Sequence, residues 1–125
     1  MATLNSTFTL DLNEGTDPVN ISIAPGFSIM DPSGSGSFET SPSVLETLIP
    51  PAGQHDIYIL IRNVGLASGT KAGRVSVKDN QMNDIAMLRL NDFLFMPVKA
   101  GVGIQTLYDT SVTTVQWSYW TRLGG

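Results

Sequence analysis

Residues 4–12 read LNSTFTLDL, and they alternate: Leu4, Ser6, Phe8, Leu10 and Leu12 share one side, Asn5, Thr7, Thr9 and Asp11 the other. Successive side chains of a β-strand point to opposite faces, so a period of two marks a half-buried strand and does not fit the 3.6-residue period of a helix. The pattern returns at 19–23 (VNISI), 44–49, 74–79 (RVSVKD), 85–90 (IAMLRL), 93–98 (FLFMPV), 104–109 and 113–122. Residues 56–64, DIYILIRNV, place Ile57, Ile59 and Ile61 on one face and Tyr58 and Leu60 on the other, which predicts a central strand covered on both sides. Turn-forming clusters separate these runs, among them NEGTDP at 13–18, GLASGTKAG at 65–73, NQMND at 80–84 and AGVG at 100–103. Pro97 removes a ladder donor and marks a strand edge or bulge. Residues 44–48, VLETL, have room for one helical turn between Pro42 and Pro50 and no more. The expected class is all-β: a β-sandwich of about eight or nine short antiparallel strands, jelly-roll or Greek-key in topology, which periodicity does not distinguish.

One stretch breaks the period. Residues 24–43, APGFSIMDPSGSGSFETSPS, fill with Gly, Ser and Pro, and predict a long loop or arm. Phe27, Ile29, Met30 and Phe38 lie within it, and a solvated linker has little use for such apolar anchors. An arm that docks on a neighbour and a segment folded back over its own core both account for them.

A chain of 125 residues fits a single domain, 1–125, able to bury one core without staples. Charged residues make up only 14%, against a usual share of about a quarter. Such a surface suits a protein packed against neighbours, since charge is what keeps free monomers apart. A net charge of -4, with scattered basic residues, speaks against nucleic acid as a partner. There is no cysteine, hence no disulfide, no thiolate nucleophile and none of the common zinc sites. The first ten residues lack the basic and apolar regions of a signal peptide, and no run reaches the length of a membrane helix. The expectation is synthesis in the cytoplasm of the expressing cell and no membrane partner.

Catalytic patterns are weak throughout. The single histidine, His55, stands beside Asp56 in PPAGQHD without a Gly-x-Ser-x-Gly nucleophile motif. The carboxylates fall in turns and at strand ends, where solvation explains them better than a glycosidase pair. DLNEGTD at 11–17 lacks the order of a calcium loop, and GSGSF at 34–38 lacks the Lys-Ser/Thr of a phosphate loop. No enzyme, cofactor or metal is therefore expected. Trp117, Tyr119 and Trp120 raise a further possibility, a sugar-stacking platform. By parity, Val115, Trp117 and Tyr119 share a core-facing side, and Trp120 joins Gln116 and Ser118 on the other, so Trp120 is the better candidate for an exposed contact.

The C-terminal part carries a resemblance. Asn63 and Gly65, the short Val75-x-Val77 strand, Phe93, Leu94 and Phe95 with Pro97 and Val98, the Gly101-x-Gly103 turn, and a last strand with Val115, Gln116, Trp117, Tyr119 and Trp120 together resemble small virion proteins of tailed bacteriophages, in particular head decoration (cement) proteins. The pattern spans about residues 57–122; the N-terminal half is outside it. The resemblance implies a non-enzymatic structural protein on the capsid surface, made in a bacterial host, that binds the major capsid protein lattice and stabilises the head. It also implies self-association as a trimer or dimer. A tail or neck component is the alternative within that class, and a carbohydrate-binding β-sandwich the alternative outside it. On this reading Phe93, Phe95, Val115, Trp117 and Tyr119 close the core, while Phe27, Ile29, Met30, Phe38 and Trp120 meet partners. Whether the strand at 4–12 belongs to its own domain or is exchanged with a neighbour is left open by the residues.

Overall fold

The computed structural model describes residues 2–5, 7–12, 19–23, 26–51, 55–66 and 73–123. The turn expected at 13–18 and the loop residues 67–72 lie outside them. The described residues hold eleven strands: β1 (Ala2–Asn5), β2 (Phe8–Leu12), β3 (Val19–Ile23), β4 (Gly26–Glu39), β5 (Leu45–Ile49), β6 (Ile57–Gly65), β7 (Val75–Asp79), β8 (Asp84–Leu88), β9 (Phe93–Val98), β10 (Ile104–Tyr108) and β11 (Thr114–Arg122). The chain is all-β, and two of its sheets face each other as a β-sandwich. A large sheet runs β1-β4-β11-β6-β9, a small one β5-β10-β7-β8, and β2 and β3 form a separate two-stranded ribbon. Of residues 44–48, where one helical turn had room, 45–48 belong to β5 instead.

The order of the strands follows from nested pairing. β7 pairs with β8, β6 with β9, β5 with β10 and β4 with β11, all antiparallel. That is one long double-stranded ribbon bent at the β7–β8 turn and rolled up, and the roll closes where β11 meets β6 and β10 meets β7. Eight strands wound this way make a jelly roll. The turn at its centre is built by Asp79, whose carboxylate accepts hydrogen bonds from the backbone N–H of Gln81 (2.8 Å) and Asn83 (2.9 Å) and from the Asn83 side-chain amide (3.1 Å). These contacts hold the loop while Met82 takes a positive φ of 65°.

Burial obeys the alternation of the strands. Ile57, Ile59 and Ile61 of β6, Val75 and Val77 of β7, Leu88 of β8, Val98 of β9, Ile104 of β10 and Val115 of β11 are buried between the sheets, with Leu48 and Ile49 of β5. Each fully buried Ile or Val contributes about 1.5–3 kcal/mol by leaving water. Five polar residues, Thr40, Asn63, Thr106, Thr113 and Thr121, are buried as well. Asn63, wholly buried, donates to the carbonyls of Gly73 (2.9 Å) and Leu88 (3.0 Å) and accepts from the Gly65 N–H and the Thr113 hydroxyl.

Two expectations are corrected. Residues 26–39 of the Gly/Ser/Pro-rich stretch are not a loop but β4, fourteen residues long, paired with β1 over 26–29 and with β11 over 29–39. From Ser33 to Phe38 the serines face outward, and Gly34, Gly36 and Phe38 face the core side. A Cβ at Gly34 would stand 2.6 Å from the Tyr119 ring and one at Gly36 2.8 Å from Trp117 Nε1. The two rings stack along β11, centroids 6.3 Å apart, and lie flat over the glycines, supplying the cover that glycine lacks. What reads as a linker is therefore a strand whose inner side chains come from its neighbour. The second correction concerns β9. Phe93 and Phe95 do not enter the core; Leu94, Met96 and Val98 do, because β9 is set against β6 with Ile61 opposite Leu94, Ile59 opposite Met96 and Ile57 opposite Val98.

Gly36→Ala is expected to lower stability by about 1–3 kcal/mol, the usual cost of overpacking, while Ser35→Ala on the outward face changes it by less than about 0.5 kcal/mol. Urea unfolding of both variants checks this. Hydrogen bonds from Asn83, backbone first and then side chain, hold the Asp79 carboxyl below its ordinary value of 3.8. A depressed carboxyl stabilises the fold above its unfolded value, and that contribution is lost as pH falls through the folded value. Asp79→Asn should therefore flatten the fall in thermal midpoint as the pH is lowered through and below 3.8; an unchanged slope would refute this role.

Candidate interface on the outer face of the large sheet

With the isoleucines of β6 turned inward, Tyr58, Leu60 and Arg62 must face out. Register then assembles the outer surface row by row. Ser33, Trp120, Tyr58 and Pro97 lie across the sheet in one row; Ser35, Ser118, Leu60 and Phe95 in the next; Ser37, Gln116, Arg62 and Phe93 in a third. The β4 side of this face is polar, and the β6–β9 side is apolar and aromatic apart from Arg62.

Phe27, at the start of β4, adds to the aromatic half. Its ring lies 4.7 Å from that of Tyr58 and 5.4 Å from that of Phe95, and Tyr58 and Phe95 stack at 5.8 Å. All three separations fall in the range for favourable aromatic pairs, worth about 0.5–1.5 kcal/mol beyond burial. The Arg122 guanidinium sits 5.1 Å above the Tyr58 ring, a cation–π contact at the border of the patch. Phe8 of the ribbon meets Phe93 edge-on at 6.1 Å. Between ribbon and sheet lies a cleft of about 710 Å³ lined by Leu4, Phe8, Phe27, Leu60, Phe93 and Trp120, among others, with Asn5 and Thr7 as its polar members. Phe93 keeps 51% of its surface exposed and Phe8 42%, more than an isolated surface phenylalanine needs explained but enough, side by side, to make an apolar patch.

Of the residues expected to meet partners, Phe27 and Trp120 line this cleft, and Ile29 lies on the face of β4 that carries Phe27. Met30 pairs with buried Thr121, on the opposite face, and is 38% exposed. Phe38 is packed against the core. Sequence reasoning missed Phe93, Phe95, Tyr58 and Phe8. Tyr58 could have been found, since the Ile-x-Ile-x-Ile run of β6 already sends it outward. β9 gave no such signal: FLFMPV is apolar on both faces, and only pairing with β6 selects the buried one.

The weaker chemical candidates are placed as follows. His55 is exposed and borders a smaller cleft of about 360 Å³ with Trp117, Tyr119 and Thr121. The Asp56 carboxylate accepts the Ala100 N–H (2.9 Å), and the Thr121 hydroxyl donates to the Pro32 carbonyl of β4 (2.6 Å), so both are engaged in backbone contacts. Among the described residues, no three His, Asp or Glu side chains gather into a cation-binding group, and no helix is long and apolar enough to cross a membrane. Comparison of the chain with family models, curated proteins and solved structures gives no match.

Phe93→Ser should leave stability within about 0.5 kcal/mol of the parent, because the ring is mostly exposed, while cutting the fluorescence of an apolar reporter dye bound to the protein. A stability loss of several kcal/mol would place Phe93 in the core after all.

Proposed function

We propose that the protein is a non-enzymatic structural component of a bacteriophage virion, a capsid decoration protein that docks on the major capsid protein lattice and stabilises the head. The observation that carries this reading is the aromatic half of the large sheet's outer face, an uncharged surface of Phe27, Phe93, Phe95 and Trp120 on a chain of low overall charge. A lattice-binding protein needs such a surface, since aromatic anchors supply most of the energy at protein interfaces. The jelly roll is compatible with shell proteins and with lectins alike, so the fold itself does not choose. A neck or tail role uses the same surface on a different neighbour. The sugar-binding alternative loses one support: Tyr119 lies over Gly34 on the inner side and Trp120 on the outer, so these two rings form no common platform.

The deciding experiment is cryo-electron microscopy of the particles whose genome encodes this chain. Density on the icosahedral shell with the aromatic face against capsid subunits supports decoration; density at the neck or tail moves the role there; absence from particles sinks the virion reading. Phe95→Ser is expected to weaken attachment to particles by tenfold or more, about 1.4 kcal/mol, in a co-sedimentation titration.

A further inference from the structure

β8 stands at the end of the small sheet: it pairs with β7 on one side and with no described strand on the other. An edge of this kind presents unpaired N–H and C=O groups, which β proteins usually blunt with proline, charge or a covering segment. Two of the other edges follow that rule. β9 carries Pro97, which has no N–H to offer, and β5 is closed by Pro50 and Pro51 directly behind it. β8 contains no proline. Its open run is bounded at one end, because the Leu88 carbonyl accepts the Asn63 amide (3.0 Å) and the Arg89 N–H donates to the Asp92 carboxylate (2.8 Å). Residues 84–87 are left without a described partner on the outer side of the strand.

The side chains around this edge are apolar. Met82, Ile85, Met87 and Leu90 fall within nine residues, and each keeps between 39% and 50% of its surface exposed. On the outer face of the small sheet, Leu45, Leu107, Ser76 and Met87 stand in one row across the strands, so the apolar surface of the edge continues over the sheet. A contiguous patch of this kind marks an interaction site. Charge is confined to the ends of the strand: Asp84 at its start, where it pairs with Lys78, and Arg89 just beyond its last residue. Residues 82–90 are therefore neutral as a unit in a chain whose net charge is -4.

We propose that two copies of this chain join through β8, antiparallel and about a two-fold axis, so that the two small sheets become one continuous sheet of eight strands. The charges at the strand ends select a second copy in this orientation. Antiparallel pairing brings the Asp84 end of each strand to the Arg89 end of the other, two opposite-charge contacts by symmetry, whereas parallel pairing sets Asp84 against Asp84 and Arg89 against Arg89. Self-pairing uses up the open edge of both copies and closes the assembly at two. The contact involves no residue lining the aromatic cleft. The inference therefore holds whether or not the protein is a virion component.

Sedimentation velocity and hydrogen exchange of the full chain test it. The parent is expected to pass from monomer to dimer as its concentration rises through the micromolar range, with the amides of 84–87 exchanging more slowly in the concentrated sample. Met87→Lys puts a charge on the edge at a side chain that is already exposed, and should weaken the dimer about tenfold or more with an unchanged circular dichroism spectrum. Arg89→Asp and Asp84→Lys should each weaken self-association, and an equimolar mixture of the two should restore a dimer containing one of each, since both of its end contacts are again between opposite charges. Phe93→Ser should leave the dimer unchanged. A parent that stays monomeric would leave the edge to a foreign strand and overturn the proposal. So would a dimer indifferent to Met87→Lys, a mixture that stays monomeric, or a dimer abolished by Phe93→Ser.

Discussion

Strands β6 and β9 of the large sheet are largely apolar on both faces, and the remainder of the structure answers to that. The sheet's inner face is met by the small sheet, and Ile59, Ile61 and Val115 disappear between the layers. Among the described residues, its outer face has no second layer of comparable extent. Phe27 bends over Tyr58 and Phe95, Phe8 reaches Phe93, and the cleft between them stays open. An all-β domain usually solves this by putting polar residues outside, as β4 does with Ser33, Ser35 and Ser37. Strands β6 and β9 do so only at Arg62, and the function proposed for the protein arises from that departure.

Nested pairing explains why so much of the chain cooperates. The strands most distant in sequence within the roll, β4 and β11, are also among the most closely joined, so closing the roll depends on every inner pair being in register. The buried Asn63 side chain reinforces the closure at one end, because its amide ties β6 to the carbonyls of Gly73 and Leu88 and to the Thr113 hydroxyl. Thr113 in turn receives its backbone partner from Thr40, through N–H to Oγ1 at 3.1 Å, linking the end of β4 to the start of β11. A polar residue in such a place costs desolvation, and its hydrogen bonds with segments far apart in sequence offset that cost while fixing one arrangement of strands.

The least legible part of the sequence was β4. Glycine and serine in alternation carry no hydrophobic period, since the atoms that cover the inner side of the strand belong to Trp117 and Tyr119. A pattern that counts each strand's own side chains cannot register a surface supplied by another strand. The aromatic site was half legible for a similar reason. Phe27 and Trp120 stood out as apolar residues in polar surroundings, whereas Phe93 and Phe95 looked like ordinary core.

The sequence by itself determined the class: strict two-residue alternation with Gly, Pro and Asn punctuation leaves no stretch long enough for a helix, and the Ile-x-Ile-x-Ile run identifies the central strand, because these are local consequences of backbone geometry. Tertiary structure alone decided the jelly-roll order, the conversion of the Gly/Ser stretch into a strand, and which face of β9 is buried. Those outcomes rest on register between segments far apart in the chain, and a shift of one residue would exchange the two faces of a strand without altering a single letter of its sequence.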